Sequence, residues 1–537
     1  MARANKVSNI CCIGAGYVGG PTCAVIAKNN PDITVTVVDL SEPRIAAWCS
    51  PALPIFEPGL YDVVQVARDG TDGRTPNLYF STNISQAIDE ADLIFISVNT
   101  PTKTAGRGAG SASDLAYVES AARHIAEVAR SDKIIVEKST VPCGTAGSLR
   151  DIFNALAPSV HFDILSNPEF LAEGTAINDL VKPDRILIGS LTDERSVSAA
   201  EALADVYAAW VPRERIITIN LWSSELAKLA ANCMLAQRIS SINSLSAICE
   251  ATGANIEELS YAVGLDTRIG SKMLKASAGF GGSCFKKDVL SLVFIAESLH
   301  LPEVANYWKS VVDINEYQKD RFTKRITKSM YNTLARKKIA VLGFAYKKNT
   351  GDTRESAAIS VIGQLITERA NVAIFDPQVK EEQILRDLAA EHPAQIVRDS
   401  VTVYADAISA CADACAVVIL TEWDHFKTDQ IPEPRPDVDL GALHAMDERA
   451  LSNHHSIASS DSGIDVVDGS ADSSPTIKPI VQQPASVKTN GQRIDWYKIA
   501  ATMRRPRLVF DGRNVVDPRR LASLGFKVES IGKRGWQ

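Results

Sequence analysis

The chain lacks the sequence signs of a metal-binding, secreted or membrane protein. Its 537 residues include only 8 histidines, and its 10 cysteines form no CxxC pair and have no histidines at zinc spacing. No stretch approaches the roughly 20 apolar residues of a membrane span, and MARANKVSNICCIGAG lacks the apolar region and cleavage site of a signal peptide. We therefore expect no metal, no membrane contact and a cytoplasmic chain whose thiols stay reduced.

A strong charge of either sign is also missing. The formal net charge is −7, with 23% charged and 45% hydrophobic residues. This balance is typical of a globular protein in solution and gives no reason to expect nucleic acid or an anionic membrane as a partner. A chain of this length is sufficient for two or three domains.

Over roughly its first 210 residues the sequence alternates short apolar runs with helical patterns. The strand candidates are 9–16, 34–40, 93–101, 133–141, 162–170 and 185–190. Continuous Val, Ile and Leu runs separated by helices predict a parallel sheet covered on both faces, that is, a doubly wound α/β domain. A second such pattern has its strand candidates at 338–347, 371–377, 416–423 and 507–513.

Between these patterns, from Trp222 to about Thr252, the apolar period becomes that of a helix. A helix of about 30 residues is about 45 Å long, enough to join two domains and to serve as a dimer contact. Its apolar positions lie within about 80° of Leu226, whereas Lys228 and Asn232 lie one turn apart on the opposite face. On the helix alone, the favoured interpretation of this pair is a solvated polar face.

One segment fits neither domain. Residues 450–491 are rich in Ser, Asp, Pro and Gly and cannot bury enough apolar surface to offset their ordering entropy. We predict a disordered insertion there, and a helix at IDWYKIAATM that resumes the fold. Its composition permits phosphorylation or a partner contact, but a tolerated solvated loop is the favoured interpretation.

The segment GAGYVG has the G-x-G-x-x-G spacing directly after a strand and before a helical run. Gly14 allows the tight turn, Gly16 lets the backbone approach a pyrophosphate, and Gly19 lets helix and strand pack closely. Asp39 ends the next strand 20 residues later, where a carboxylate binds the adenosine ribose and repels a 2′-phosphate. We predict an NAD site, although Arg44 is near enough in sequence to meet a 2′-phosphate.

Polar clusters follow two of the predicted strands, at Asn99-Thr100-Pro101-Thr102 and at Ser139-Thr140-Val141. Because ligands of an open parallel sheet lie beyond the carboxyl ends of its strands, these residues are candidates for cofactor contacts. Taken singly, either cluster is as well explained by a turn or a helix N-cap.

The segment FGGSCFKKD indicates a loop that enters a helix with Ser283 as its N-cap. Cys284 then lies in the first turn, where backbone amides and the helix dipole lower the pKa of a thiol. Asp288 follows one turn later on the same face, and Lys286 and Lys287 add positive potential. The glycines would let a substrate approach the backbone. Spacing alone leaves a reactive and a packed cysteine equally favoured.

Five longer motifs decide between these interpretations. They are SNPEFLAEGTA, SSELAKLAANCMLAQRISSINS, KASAGFGGSCFKKD, GFAYKKNTGDTRES and FDGR, at 166–176, 223–244, 275–288, 343–356 and 510–513. Together they resemble the UDP-glucose/GDP-mannose dehydrogenase family, and within it the eukaryotic UDP-glucose 6-dehydrogenases, over nearly the whole chain apart from the insertion. The resemblance implies two successive NAD-dependent oxidations of UDP-glucose to UDP-glucuronate by a cytosolic homohexamer built from dimers.

The same resemblance implies three domains and a set of site residues. The domains are an NAD-binding Rossmann-like domain over 1–215, a helical linker and dimerisation domain over 216–330 and a UDP-binding Rossmann-like domain over 331–537. The catalytic positions implied are Cys284 as nucleophile, Lys228, Asn232, Asp288, Glu169 and Thr140. The cofactor contacts implied are Gly14, Ala15, Gly16, Tyr17, Val18, Gly19, Asp39, Arg44, Val98, Asn99, Thr100, Pro101, Thr102, Ser139, Thr140, Val141, Glu173, Cys284, Lys287 and Arg354. The substrate contacts implied are Glu169, Phe170, Leu171, Ala172, Glu173, Lys228, Asn232, Lys275, Phe280, Gly281, Tyr346, Lys347 and Arg513, with Arg268 contributed by the neighbouring subunit.

These residue types suit the implied chemistry. A thiolate at Cys284 traps the aldehyde of the first oxidation as a thiohemiacetal, which the second oxidation converts to a thioester for hydrolysis. Lys228 and Asn232 are suited to stabilise charge on oxygen, and Glu169, with Asp288 as second candidate, to activate water. Whether Lys228 also takes the alcohol proton is left open by the sequence.

Three alternatives stay open at this point. The same chemistry could act on another nucleotide sugar, such as GDP-mannose or a UDP-N-acetylhexosamine. A two-electron NAD dehydrogenase would use Cys284 only in packing. A regulatory protein would bind NAD and a UDP-sugar without turnover.

Overall fold

The structure is a computed structural model, which describes residues 6–431 and 493–534. The insertion predicted at 450–491 lies outside the described residues. Within the described part of the chain, no helix is long and apolar enough to cross a membrane.

The first sheet has both faces covered by helices. Its strands are β1 Asn9–Ile13, β2 Thr34–Val38, β3 Leu78–Ser81, β4 Leu93–Ile96, β5 Lys133–Glu137, β6 Phe162–Ser166, β7 Ile186–Ser190 and β8 Ile216–Asn220. The spatial order is β3-β2-β1-β4-β5-β6-β7-β8, and neighbours are parallel except β6 and β7, which meet antiparallel. The helices are α1 Gly19–Asn29, α2 Glu42–Trp48, α3 Leu60–Arg68, α4 Ile84–Glu90, α5 Ala116–Val128, α6 Thr145–Leu156, α7 Ala176–Val181 and α8 Glu194–Ala208.

Alternate residues of β1 serve two separate apolar cores. Cys12 packs in a core with residues of α1, α3 and α8, whereas Cys11 and Ile13 pack in another with residues of α4, α5 and α6. Successive side chains of a strand point to opposite faces, so a strand buried on both faces reads as one continuous apolar run. The thiols of β1 are therefore packing residues, as their burial requires.

The middle of the chain is helical. It contains α9 Leu221–Thr252, α10 Ile256–Gly264, α11 Phe285–Ser298 and α12 Pro302–Ser329. The long α9 begins directly after β8, where the Asn220 side chain accepts hydrogen bonds from the N–H groups of Trp222 and Ser223. It ends at Gly253, which has a left-handed φ of 86° that favours glycine.

The solvated face favoured for Lys228 and Asn232 on the helix alone is wrong. These side chains lie on the buried face of α9, with exposed fractions of 4% and 7%, among contacts from α11 and from the loop after β6. The apolar face is instead partly open, since Met234 and Ile248 are 61% and 57% exposed. A helical wheel shows how residues are grouped but not which group meets the rest of the fold.

A second parallel sheet follows the helical region. Its strands are β9 Lys338–Leu342, β10 Asn371–Phe375, β11 Val401–Val403, β12 Ala416–Ile419, β13 Arg507–Asp511 and β14 Phe526–Ser530, in the order β11-β10-β9-β12-β13-β14. The helices are α13 Ala357–Thr367, α14 Glu381–Glu391, α15 Ala394–Ser400, α16 Ala407–Cys411, α17 Trp496–Thr502 and α18 Pro518–Ala522. The predicted fold class is confirmed, and so is the helix predicted at IDWYKIAATM, which is α17.

Candidate active site

The glycine loop between β1 and α1 has the geometry of a dinucleotide cradle. Gly14 has φ of 112°, and a Cβ there would meet the Ser97 carbonyl oxygen at 2.2 Å. A Cβ on Gly19 would meet the Gly14 carbonyl oxygen at 2.1 Å, whereas one on Gly16 would meet nothing within 4 Å. The first and third glycines are therefore required by the close packing of strand and helix, and the second leaves open space beside the N-terminus of α1 for a pyrophosphate.

Asp39 lies directly after β2 with its carboxylate beside this loop. It accepts hydrogen bonds from the N–H groups of Ala15 at 3.0 Å and Ser41 at 2.9 Å. The Arg44 guanidinium, which could have met a 2′-phosphate, is instead 3.0 Å from the Asp39 carboxylate. The carboxylate is thus held at the edge of the cradle, where a ribose hydroxyl would reach it.

The two polar strand-end clusters meet each other and the first turn of α11. The Thr100 hydroxyl donates to the Thr140 carbonyl at 2.9 Å, and the Ser139 hydroxyl donates to the Val98 carbonyl at 2.7 Å. The Lys287 ammonium donates to the carbonyl and hydroxyl of Thr100 at 3.0 and 3.1 Å. The segments 98–102 and 139–141 therefore form one wall between the glycine loop and the helix that follows Cys284.

Glu169 and Lys228 form a buried ion pair at the end of β6. Lys228 Nζ lies 3.0 Å from Glu169 Oε1, and Glu169 Oε2 accepts the Leu171 N–H at 2.6 Å. Burial acts to raise the pKa of Glu169, but Lys228 and the Leu171 N–H outweigh it and leave the pKa lowered. Burial acts to lower the pKa of Lys228, but Glu169 and Cys284 more than offset it. The pair is therefore a carboxylate and an ammonium.

The rest of the PEFLAE loop continues around this pair. The Phe170 ring lies 3.9 Å from the Arg185 guanidinium and 5.4 Å from Lys228 Nζ, and the Ala172 N–H donates to Asp179 at 3.0 Å. Beside this loop is a cavity of about 300 Å³. It is lined in part by Lys138, Glu169, Phe170, Leu171, Arg185 and Lys272.

Asn232 and Asp288 form a second buried pair one turn along α9. Asn232 Nδ2 donates to Asp288 Oδ2 at 2.7 Å, while Asp288 Oδ1 is buried with no hydrogen-bond partner among the described residues. Asp288 is 0% exposed. Burial raises its pKa above the ordinary value, and Lys287 and Asn232 only partly oppose this. Asp288 is therefore placed to accept a proton.

Cys284 lies immediately before α11 and is itself the N-cap in place of Ser283, so the helix begins one residue later than predicted. The predicted lowering of its pKa is wrong. Burial and the Asp288 carboxylate raise the pKa of the thiol, and Lys228 opposes them only in part. The helix N-terminus favours a thiolate, but withdrawal from water and a neighbouring negative charge favour the neutral thiol more strongly.

The glycines before Cys284 lie close to another segment of the chain. A Cβ on Gly281 would meet the Glu355 carbonyl oxygen at 2.4 Å, and one on Gly282 would meet the Tyr346 ring at 2.9 Å. The Gly282 N–H also donates to the Arg354 carbonyl at 2.8 Å. These glycines therefore admit the chain's own residues after β9.

A second cavity, of about 150 Å³, lies beside the start of the same loop. It is lined by Ile239, Met273, Lys275, Ala276, Ser277, Phe280, Glu422 and Arg513. The Arg513 guanidinium donates to the carbonyls of Leu420 at 2.7 Å and Tyr346 at 2.6 Å. Three of the expected substrate contacts thus line one cavity, Lys275 and Phe280 from the loop between α10 and α11 and Arg513 from the segment after β13.

Glu173 connects the PEFLAE loop to the segment after β9. Arg354 Nη2 lies 3.1 Å from Glu173 and 2.5 Å from Asp352. Burial and the Asp352 carboxylate raise the pKa of Glu173 to about 8. Lys347 is mostly buried nearby, and burial lowers its pKa. Residues of both sheets therefore close over the region between the glycine loop and Cys284.

Comparison with known proteins identifies one family over nearly the whole chain. Three models of the UDP-glucose/GDP-mannose dehydrogenase family match it: the NAD binding domain at 8–211, the central domain at 222–317 and the UDP binding domain at 340–441. The chain belongs to this family. It is 52% identical over 535 residues, covering 98% of the chain and 97% of its relative, to UDP-glucose 6-dehydrogenase 3 of Oryza sativa subsp. japonica. It is 51% identical over 531 residues, with coverages of 98% and 96%, to the UDP-glucose 6-dehydrogenase of Drosophila melanogaster.

A solved structure of the family agrees in sequence and shape. A UDP-glucose dehydrogenase from the archaeon Pyrobaculum islandicum is 33% identical with a TM-score of 0.68, covering 79% of this chain and 92% of that one. As a dehydrogenase of this family, the chain uses NAD, and the open space at Gly16 with the carboxylate of Asp39 fits that cofactor.

Two residues of the dehydrogenase site escaped the sequence reasoning. Lys138 is buried at the end of β5, where its Nζ donates to Asn167 at 2.9 Å, and burial lowers its pKa to about 8. Glu57, also buried, accepts hydrogen bonds from Tyr17 and from the loop after Glu173. A charged residue inside the apolar run KIIVEKSTV was a signal for Lys138, whereas nothing local in FEPGL marks Glu57.

Arg268 is the one expected substrate contact that the described chain does not bring to the site. Its side chain is 87% exposed and lies 2.6 Å from Asp266. A reach into the site of a neighbouring subunit stays a prediction.

Asp39→Ala should raise the dissociation constant for NAD by about 10-fold or more while leaving the affinity for UDP unchanged. Removing a hydrogen bond to a charged group typically costs about 1.5–3 kcal/mol. Calorimetric titration with each ligand measures both constants, and Asp32→Ala, at an exposed aspartate in the loop before β2, is the matched control. Equal loss of both affinities would mean misfolding and would contradict a specific ribose contact.

Proposed function

We propose that the chain catalyses the four-electron oxidation of UDP-glucose at C6 to UDP-glucuronate, using two NAD and one water. One observation is the main support for this proposal. Cys284, Lys228, Asn232, Asp288 and Glu169 come from three separate elements and meet in one buried cluster beside the cofactor loop. NAD supplies the hydride acceptor for each of the two oxidations.

In the first oxidation the C6 hydroxyl releases its proton to solvent water and the carbon loses a hydride. The Lys228 ammonium, held by Glu169 at 3.0 Å, is placed to stabilise negative charge on that oxygen. Because its pKa is raised, Lys228 begins as a charged donor, which favours electrostatic stabilisation over proton abstraction as its role. The aldehyde produced would lie beside Cys284, which is half-buried next to Lys228 and Asp288.

In the next step the Cys284 sulfur adds to the aldehyde carbon. Because the pKa of the thiol is raised, the proton must leave as the C–S bond forms. Asp288 is suited to receive it, since its buried Oδ1 lacks a hydrogen-bond partner among the described residues and burial raises its pKa. The thiohemiacetal oxygen is then stabilised by Lys228 and Asn232, and loss of a second hydride from the same carbon gives the thioester.

Hydrolysis of the thioester needs a water and a base. Glu169 is ionised, because Lys228 and the Leu171 N–H hold its pKa below the ordinary value. We propose that it takes a proton from the attacking water, with Asp288 returning a proton to the Cys284 sulfur as the acid leaves. Each residue of the cluster thereby has a role in the reaction.

The UDP portion is proposed to bind at the cavity lined by Lys275, Phe280 and Arg513, with Gly281, Tyr346 and Lys347 adjoining it. Lysine and arginine side chains provide the positive charge that a diphosphate requires, and the Phe280 ring offers an apolar face. The backbone of 170–173 is proposed to contact the sugar near Glu169. Thr140 and the Val98–Thr102 wall then face the nicotinamide end of the cofactor.

We also propose a dimer through α9, assembled into a hexamer in the cytoplasm. The open apolar residues of α9, among them Met234 and Ile248, form a face of the kind that a partner subunit covers. The exposed Arg268 is available to a neighbouring subunit. All 10 cysteines lie in the described part of the chain and are free thiols, which suits a reducing compartment.

Incubation with UDP-glucose and NAD should give two NADH for every UDP-glucuronate, counted by absorbance and by chromatography of the sugar nucleotides. A panel containing GDP-mannose and UDP-N-acetylhexosamines, run in parallel, tests the substrate. Preference for one of those sugars would overturn UDP-glucose as the substrate. One NADH with free aldehyde as product would overturn the thioester route, and binding without turnover would leave only a regulatory protein.

A further inference from the structure

The carboxylate of Glu57 joins two loops from different parts of the site. Glu57 lies between α2 and α3 and is 6% exposed. Its Oε2 accepts hydrogen bonds from the Tyr17 hydroxyl and from the Gly174 N–H at 2.8 Å, and its Oε1 accepts the Ala176 N–H at 2.6 Å. A buried carboxylate with three donors is fixed in place, because moving any one donor would leave charge without a partner.

One of these donors belongs to the cofactor side. Tyr17 lies in the glycine loop, one residue after Gly16, so its backbone is beside the space proposed for the pyrophosphate. Burial and the hydrogen bond to Glu57 raise the pKa of Tyr17 far above its ordinary value. The phenol therefore stays protonated and is a donor to Glu57.

The other two donors belong to the sugar side. The N–H groups of Gly174 and Ala176 come shortly after Glu173, at the end of the loop that starts at Glu169. Gly174 has φ of 82°, and a Cβ there would meet Asn349 at 3.1 Å. The loop is thus packed closely against the second α/β unit, and a displacement at Gly174 would move Glu173 and its ion pair with Arg354.

We propose that Glu57 is a positioning residue that couples the cofactor site to the sugar end of the substrate site. A cofactor bound at the glycine loop fixes Tyr17, Tyr17 fixes the Glu57 carboxylate, and Glu57 fixes the backbone of 174–176. Binding of the cofactor then raises the affinity for UDP-glucose, and by linkage UDP-glucose raises the affinity for the cofactor by the same factor. The inference rests on the proposed function, because it takes UDP-glucose as the ligand of this loop.

A purely structural role for Glu57 predicts a different pattern. In that case Glu57 would hold the loop whether or not a cofactor is bound, and only its own loss would matter. Tyr17→Phe separates the two possibilities, because it deletes one hydroxyl and keeps Glu57 with both of its backbone donors. Coupling requires the phenol, whereas support of the loop does not.

The test is a pair of calorimetric titrations of the full-length protein with UDP-glucose, one without cofactor and one saturated with NADH, which cannot accept a hydride. For the unmodified protein we expect NADH to tighten UDP-glucose binding about fivefold or more, within the usual range of such couplings. In Tyr17→Phe the affinity without NADH should be unchanged and the enhancement should fall below about twofold. Glu57→Gln should lose the enhancement and also bind UDP-glucose more weakly, while the exposed control Glu127→Gln should behave like the unmodified protein.

The other possible results distinguish failure of the coupling from failure of the proposed function. An unmodified protein that binds UDP-glucose but shows no enhancement, or a Tyr17→Phe variant that keeps it, would overturn the coupling and leave the proposed function standing. An unmodified protein that does not bind UDP-glucose at all would overturn the proposed function, and the coupling with it. If Glu57→Gln melts at a much lower temperature than the unmodified protein, the Tyr17→Phe titrations decide alone.

Discussion

Cys284→Ser should lower the rate of UDP-glucuronate formation at least ~10³-fold while leaving NAD affinity unchanged. A serine hydroxyl in this buried, acidic surrounding would not ionise at neutral pH, and losing a covalent nucleophile typically removes several orders of magnitude in rate. The glycine loop and Asp39 belong to the first sheet, whereas Cys284 lies just before α11. The substitution should therefore leave cofactor binding as it is in the unmodified protein. Steady-state assays of the product and calorimetric titration with NAD measure the two quantities.

The matched control for this prediction is Cys49→Ser, which changes an exposed thiol at the end of α2. That variant should keep the full rate. An unchanged rate in Cys284→Ser would remove Cys284 from the mechanism and return it to the packing role of the other cysteines. A loss of rate accompanied by loss of NAD affinity would point to a disturbed fold instead.

Glu169→Gln should cause the Cys284 thioester to accumulate. The amide still accepts a hydrogen bond from Lys228 or the Leu171 N–H, but it cannot take a proton from water. General base catalysis typically contributes about 10²–10⁴-fold, so we expect a burst of two NADH per site followed by a rate slower by that factor. Rapid mixing with absorbance detection measures the burst, and intact mass of quenched enzyme detects the acyl adduct on Cys284.

Asp288→Asn is the comparison variant here, because Asp288 is the other candidate base. Because Asp288 is proposed to take the thiol proton in adduct formation and to return it in hydrolysis, the variant should slow both steps, and since the adduct then forms slowly it should show no burst. If Asp288→Asn gives the burst and Glu169→Gln does not, the two roles are the reverse of those proposed. The exposed Glu127→Gln variant should leave both phases unchanged.

The parts of this protein that sequence predicts well are those with a recurrent pattern of residues. The roles of Gly14, Gly16 and Gly19 depend on residues within one turn and two strands, and the spaces around them agree with the predicted roles. Most buried strands were predicted for the same reason, since burial on both faces requires a continuous apolar run. The strands β3, β8, β11 and β14 were not predicted. All four lie at an edge of their sheet, and β8 is mostly exposed.

The features that sequence could not give depend on residues far away along the chain. The side of α9 that carries Lys228 is buried only because Glu169, 59 positions earlier, and α11 come to meet it. The raised pKa of Cys284 is a sum of burial, carboxylates and one ammonium, whose distances no spacing rule supplies. Glu57 shows the same limit, because its donors lie 40 and 117 positions away.

Two of the hydrogen bonds that hold the loop before Cys284 are made to residues that are synthesised much later. Gly282 donates to Arg354, and Ala278 donates to Gly512, so both anchors of the loop are made after the loop itself. As the chain leaves the ribosome, the glycine loop and first sheet can fold early, but the loop before Cys284 does not have all of its contacts until residue 512 has emerged. A truncated or stalled product would therefore contain the glycine loop but would lack part of the contacts that hold the segment before Cys284.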